Sequence, residues 1–345
     1  MIEQKNEIQE FTIDQLPEEQ DIQDIVFNLM VDPNLAPINY FNDFSEESLD
    51  FSEIAGGDND ETGLFCSTNG QLMAISTHAL HHHLEIDPKQ ATEILVARAV
   101  RKMMCLGAVP EAVSSILYHI NVADPNGQFI AAGAKKGLEN ACQKFDLKLT
   151  DRKIRFDSFS GHGPVSPTII ISLMASIPDK DKLVNHVFKK KGNNIFMIGK
   201  SYDDVNSSEY LEFYHEISES SLPVFDIEDE VKLHGVMKKL IQSGLLSSAS
   251  PVGKGGLFFS LLRAGMHSGF GFDITSDAEI RKDAFLFGES MGRIIVGVDP
   301  EKADDFVDLM SGLKVPFFAL GHVTKGEIRI DDESFGFIDK MTPSN

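Results

Sequence analysis

Basic residues are scarce in this chain of 345 residues: 31 Lys and Arg stand against 53 Asp and Glu, a formal net charge of −22. Sequence-independent binding to nucleic acid or to anionic lipid needs a basic surface that displaces counterions, so neither partner is expected, and solubility is the plain reading of the charge. Cysteine is scarce too. Cys66, Cys105 and Cys142 lie far apart, with no paired spacing of a metal site. Cys105 and Cys142 fall on apolar faces of predicted helices, where a thiol is a small buried hydrophobe, and a reducing cytoplasm fits. No stretch reaches the roughly 18 apolar residues of a membrane span. The N-terminus opens on acidic and polar residues in place of a basic and then apolar leader, so the expected protein is cytoplasmic, neither exported nor embedded. Internal repeats, low-complexity tracts and a Gly-x-Ser-x-Gly nucleophile elbow are also missing.

What is present alternates in the manner of α/β layers. The length exceeds the usual limit of one hydrophobic core, and 42% hydrophobic residues supply enough apolar surface for two. Residues 1–50 read as an acidic arm, frayed or loosely docked over its first 20 residues, followed by a helix. Ile22, Ile25, Val26, Leu29 and Met30 give that helix its spacing, and Asp32-Pro33 stops it. Residues 51–177 form the first domain. Its expected elements are a strand at Gln71 to Ser76, a helix opening at Asp87-Pro88 and closed by Gly107, a helix from about Gln128 to Phe145, and a buried strand from Thr168 to Met174. The Lys-rich stretch from Pro178 to Lys191 is the expected linker. Residues 192–345 form the second domain, with strands at Asn194 to Ile198, Arg293 to Val298 and Pro316 to Leu320. Its helices are expected near Ser208 to His215, Glu228 to Gln242, Gly256 to His267 and Pro300 to Ser311.

Three local patterns carry candidate chemistry. His78, His81, His82 and His83 are the densest imidazole cluster, and imidazole suits Zn or Ni. If the run is extended, His81 and His83 share one face and His78 and His82 the other. No Cys or carboxylate follows at a standard zinc spacing, so a solvated or pocket-lining strand end is the reading preferred over a metal site. Second, the Gly-rich turn Gly253-Lys254-Gly255-Gly256 enters a helix, where free amides and a lysine suit an anion such as phosphate; a plain turn and helix start is the alternative. Third, Arg152, Lys153 and Arg155 cluster on an expected strand, either as a phosphate-facing patch or, more commonly, as ion pairs with surface acids.

A family resemblance runs through roughly residues 21 to 337, in order. Thr77 to Pro88 resembles the Thr-Asp-Gly-Asn-x-Arg segment that phosphoribosylformylglycinamidine synthase, a glutamine-dependent ligase of purine biosynthesis, carries in its second half before an Asp-Pro. Asp32-Pro33-Asn34-Leu35 and Ala55-Gly56-Gly57-Asp58 resemble its Pro-Asn and Pro-Gly-x-Asp landmarks, and Cys105-Leu106-Gly107-Ala108-Val109-Pro110 its Cys-x-Gly-Ala-x-Pro helix end. Asn206-Ser207-Ser208-Glu209-Tyr210 is similar to Gly-Gly-Ser-Glu-Tyr. Ser248 to Leu257 is similar to Ser-Ala-His-Asp-x-Ser-Asp-Gly-Gly-Leu, and Phe287-Gly288-Glu289-Ser290-Met291-Gly292-Arg293 to Phe-Gly-Glu-Ser-x-Gly-Arg. The resemblance implies the two-domain aminoimidazole ribonucleotide synthetase-like α/β fold, whose N-terminal domains pair through their sheets, and hence a homodimer.

Three of the departures from the family remove its acids. His78, Pro251 and Lys254 stand where the family has Asp, Leu80 where it has Asn and His82 where it has Arg. Magnesium is held through carboxylates and phosphate oxygens, so these losses make Mg²⁺ doubtful while ATP stays the nucleotide that the resemblance implies. The surviving cleft candidates are His78, His82, Asp87, Arg152, Lys153, Glu209, Glu289 and Arg293, with Gly253 to Gly256 for phosphate. Structural roles compete at three of them: Glu209 as a helix cap, and Glu289 with Arg293 as a pair. Two functions follow. One is a stand-alone relative of the ligase, acting on a phosphorylated small molecule with ATP. The other is a non-catalytic nucleotide-binding or scaffold protein of the same fold.

Overall fold

The computed structural model describes residues 11–18, 21–32, 35, 62–67, 70–81, 83–121, 123–155, 159–160 and 163–341. The chain divides into two units: one takes residues 47–183 and 226–238, the other residues 1–46, 184–225 and 239–345. Together they make the two-domain α/β architecture expected of the sequence.

In the N-terminal unit a five-stranded sheet runs in the order Thr62–Cys66, Leu72–Leu80, Thr168–Ser176, Val109–Tyr118, Lys148–Arg155. Only the last pair is parallel. Helices Pro88–Leu106 and Pro125–Phe145 pack against it. The first is bounded by chemistry legible in the sequence. Asp87 accepts the amides of Lys89 and Gln90 at 2.9 and 3.0 Å, Pro88 occupies the first turn, and Gly107 ends the helix at φ 87°. Alternation splits the central strand, with Ile169, Ile171, Leu173 and Ala175 buried between half-exposed Ile170 and exposed Met174. Cys105 and Cys142 are buried and Cys66 exposed, and burial, with Glu139 nearby, pushes the Cys142 thiol up to about 11.

The C-terminal unit holds a seven-stranded sheet in the order Glu333–Phe337, Glu327–Ile330, Phe272–Ile274, Phe317–Val323, Asn194–Ile198, Ile294–Val298, Leu246–Pro251. Its core gathers Phe258, Phe259, Phe272, Phe285 and Phe287 with Ile195, Met197 and Ile295.

Several sequence expectations need correction. The first helix, Ile22–Leu29, belongs to the C-terminal unit, because Ile22, Ile25, Val26 and Leu29 are buried in that unit's core. The arm before it is docked over residues 11–17, with Ile13 and Leu16 buried in the same core. The Lys-rich stretch is more than a linker: its last part belongs to the C-terminal unit, Phe188 is buried, and the Phe188 amide donates to the Ala264 carbonyl at 2.8 Å. Residues 226–238, by contrast, belong to the N-terminal unit. There Glu230 meets Arg101 at 3.3 Å, both side chains only 3% exposed, and Glu228 pairs with Lys144.

Candidate functional site

The Gly-rich turn joins strand Leu246–Pro251 to helix Gly256–Met266. Ahead of the turn, Ser248 to Pro251 pair with Gly297 to Ile294 along the edge of the sheet. Proline is tolerated at that edge because no ladder bond is required of its nitrogen. Gly255 and Gly256 both adopt positive φ, at 77° and 71°. A Cβ on Gly256 would lie 2.6 Å from the Leu286 carbonyl oxygen and 2.7 Å from that of Gly288, so this turn requires glycine. The Gly256 amide closes the turn onto the Gly253 carbonyl at 3.0 Å, and Ser260 supports it, accepting the Gly253 amide at 3.3 Å and donating to the Gly256 carbonyl at 2.8 Å.

The start of a helix favours an anion, and here the chain supplies one itself. One oxygen of the buried Glu289 carboxylate accepts the amides of Gly255 and Glu209, each at 2.9 Å. Lys254, in turn, places its ammonium 2.6 Å from the Glu209 carboxylate; the lysine side chain is 47% exposed and the glutamate 8%. Arg263 donates to the Lys254 carbonyl at 2.8 Å. Glu289 is presented by a segment folded around Arg293, a fully buried guanidinium that donates to the carbonyls of Gly288 at 2.6 Å and Ser290 at 3.2 Å and to the Ser201 hydroxyl at 3.3 Å.

Glu209 is positioned by its own loop. Ser207 stands at φ 51° where the resembling family has glycine, held there by two contacts: its amide donates to the Ser220 hydroxyl at 2.8 Å and its hydroxyl to the Ser221 carbonyl at 2.6 Å. Asp204 gathers the amides of Asn206 and Val224 at 3.0 and 2.7 Å. Glu209 then leads into one π-helical turn, Tyr210–Tyr214, and makes no side-chain cap bond to it. Asp204, Ser260 and Arg263 were missed in the sequence. An Asp two residues before Asn206 is a recognisable turn signal, whereas nothing local marked the other two.

The candidates of the N-terminal unit sit on separate elements. The His run is extended only as far as Leu80; His83–Ile86 is a helical turn, so the alternation of faces expected through His83 does not hold. His78 lies on the same strand face as Ser76 and Leu80, and its Nε2 is 3.0 Å from the Ser76 hydroxyl. His82 lies outside the described residues. Asp87 caps its helix, as above. Arg152 pairs with Glu139 at 3.2 Å and Lys153 with Asp151 at 2.9 Å, all four side chains largely exposed, and the Lys153 contact holds the Asp151 carboxyl below its ordinary range. These are the surface ion pairs weighed against a phosphate patch. Among the described residues no three or more His, Cys, Asp or Glu side chains are grouped to hold a metal ion, and no helix is long and apolar enough to cross a membrane.

Lys254, Gly255, Glu209 and Glu289 are therefore brought together in the C-terminal unit, behind Arg293. Known proteins share the fold that carries these residues. The chain is 26% identical over 304 residues to phosphoribosylformylglycinamidine synthase subunit PurL of Moorella thermoacetica, covering 88% of this chain and 42% of that one. With the same subunit of Alkaliphilus metalliredigens it shares 24% over 324 residues, 94% of this chain and 44% of that one. It thus spans less than half the length of these curated relatives. PurL of T. maritima, solved in complex with ATP, has the same fold with a TM-score of 0.67 at 15% identity, over 84% of this chain and 48% of that one. A HypE–HypF complex chain matches with a TM-score of 0.60 at 14% identity, over 81% and 94%. Residues 59–175 match the N-terminal domain and residues 190–332 the C-terminal domain of AIR synthase related proteins, and the chain belongs to that family.

Proposed function

We propose that this chain is a relative of phosphoribosylformylglycinamidine synthase whose magnesium-nucleotide site is degenerate, a binding or scaffold member of a ligase family. The observation that carries the reading is the ion pair between Lys254 and Glu209 at 2.6 Å. Mg²⁺ takes carboxylate, phosphate and water oxygens in a near-octahedral shell, and an ammonium on the carboxylate occupies the place of the metal's charge. Glu209, paired with Lys254, does not fit the ion, and no catalytic step is assigned through it.

Phosphate at the Gly253 to Gly256 turn meets a related obstacle. The Gly255 amide is already given to Glu289, and a second anion beside that carboxylate is repelled. Contact with a phosphate-bearing ligand such as ATP would therefore run through the half-exposed Lys254 side chain, weakly and without a need for Mg²⁺. We expect no ATP-dependent conversion of formylglycinamide ribonucleotide and ammonia to the amidine by this chain, because charge stabilisation dominates phosphoryl transfer and the groups that hold its metal are gone. Product formation in an assay with ATP, Mg²⁺ and ammonia at about 1 s⁻¹ or faster, an ordinary enzymatic rate, would restore the ligase reading.

The family's pairing of N-terminal domains extends the proposal to a homodimer. Its support is the sheet face opposite the buried one, where Ile75, Ile116 and Ile170 are half-buried and Met174 is exposed. An apolar sheet surface of this kind favours a partner. Light scattering at micromolar concentration should give twice the 38.1 kDa chain mass, and a monomer would exclude the pairing.

A further inference from the structure

We propose that residues 11–17 are a peptide strap bound in cis to a groove of the C-terminal unit, able to leave it without unfolding that unit. The groove is built at three points. At the first, Asn206, 5% exposed, treats Phe11 as a strand neighbour would: its Oδ1 accepts the Phe11 amide at 3.0 Å and its Nδ2 donates to the Phe11 carbonyl at 2.9 Å. Next come two apolar seats three residues apart, filled by Ile13 and Leu16. Last, Arg281 closes over the carbonyl end of the Ile13–Gln15 turn, donating to Ile13 at 2.8 Å, Leu16 at 3.0 Å and Pro17 at 3.4 Å.

The clamp is itself held from below. Buried Asp283 takes Arg281 through both oxygens, at 2.8 and 2.6 Å, and the Tyr210 hydroxyl donates to Asp283 at 2.9 Å. A bidentate guanidinium pair fixes orientation as well as charge, which suits a group that must meet three carbonyls at once. Specificity for a main chain with apolar residues at two positions is how grooves recognise short peptides. Asn206 stands where the resembling family has glycine, a residue with no side chain to grip an arm.

Both ends of the groove reach the loop that carries Glu209, through Asn206 on one side and Tyr210 on the other. Strap occupancy and the setting of that loop are thereby linked. This inference rests on contacts of the arm alone and does not depend on the nucleotide reading.

Hydrogen exchange on the full chain tests it. In Asn206→Gly the amides of Phe11 and Leu16 should exchange about 10-fold faster or more, through local opening, while those of helix Gly256–Met266 keep their protection. The double variant Arg281→Gln with Asp283→Asn, which removes both charges of the buried pair together, should release the same segment and leave the same helix protected. Arm and helix amides accelerating by one common factor in both variants would make the arm an inseparable part of the core and overturn the proposal. Unchanged arm protection in both would overturn it equally.

Discussion

Gly256→Ala should cost the C-terminal unit about 3 to 5 kcal/mol, lowering its thermal midpoint by about 10 °C. Two effects add. At φ 71° an L side chain is strained, by roughly 1 to 2 kcal/mol. The new Cβ would also meet the carbonyl oxygens of Leu286 and Gly288 at 2.6 and 2.7 Å, and both belong to backbone rather than to a side chain that could swing away. The shift would propagate to Gly288 and Glu289, the residues that seat the turn. Gly253→Ala is the internal control, since its Cβ would have nothing within 4 Å and should change stability by less than ~0.5 kcal/mol. Chemical denaturation of the two variants checks the pair, and equal stabilities would show that the turn tolerates any residue.

Arg293→Met is the second large effect. The guanidinium is fully buried and organises residues 288 to 290 by donating to the Gly288 and Ser290 carbonyls and to Ser201. Methionine keeps much of the volume and removes every donor. Each buried acceptor left without a partner costs about 1 to 3 kcal/mol, so a loss of about 3 kcal/mol or more is expected. Arg293→Lys should rescue little, because one ammonium cannot reproduce the planar fork that spans three acceptors. Near-native denaturation midpoints for both variants would mean that Arg293 is not the organiser of this segment.

Much of the fold was legible because local signals and tertiary structure agree. The helix from Pro88 to Leu106 announces itself through Asp87, Pro88, its apolar spacing and Gly107, and each of these does in the structure what its chemistry suggests. Strand Asn194–Ile198 is a short apolar run, buried along nearly its whole length. Strand Val109–Tyr118 was missed although Val113, Ser115 and Leu117 alternate inward, because its polar positions dilute the pattern. Strand Leu246–Pro251 is rich in serine and ends in proline, a composition without strand propensity, so only its neighbour Ile294–Val298 makes it a strand.

Only part of the candidate site's membership was legible, and none of its connections: Asp204, Ser260 and Arg263 were missed, while the candidates His78, Asp87, Arg152 and Lys153 lie in the N-terminal unit. Glu209, Lys254, Gly255 and Glu289 were each marked by the family pattern. That Lys254 would lie on a carboxylate 45 residues away, and that Glu289 would fill the helix start 34 residues before it, are products of the fold alone. The same holds for the arm: its polar composition left it frayed or loosely docked, while two apolar side chains and one arginine more than 260 residues away dock it.

Calorimetric titration of ATP into the chain, with and without Mg²⁺, in the wild type and in Lys254→Glu, tests the degenerate-site account most directly. The account predicts weak binding or none in the wild type, unchanged by Mg²⁺, and weaker still in Lys254→Glu, where the cation is lost and a further carboxylate gained. Wild-type binding that tightens 10-fold or more on adding Mg²⁺ would contradict it, showing that the chain still holds the metal-nucleotide complex despite the lysine.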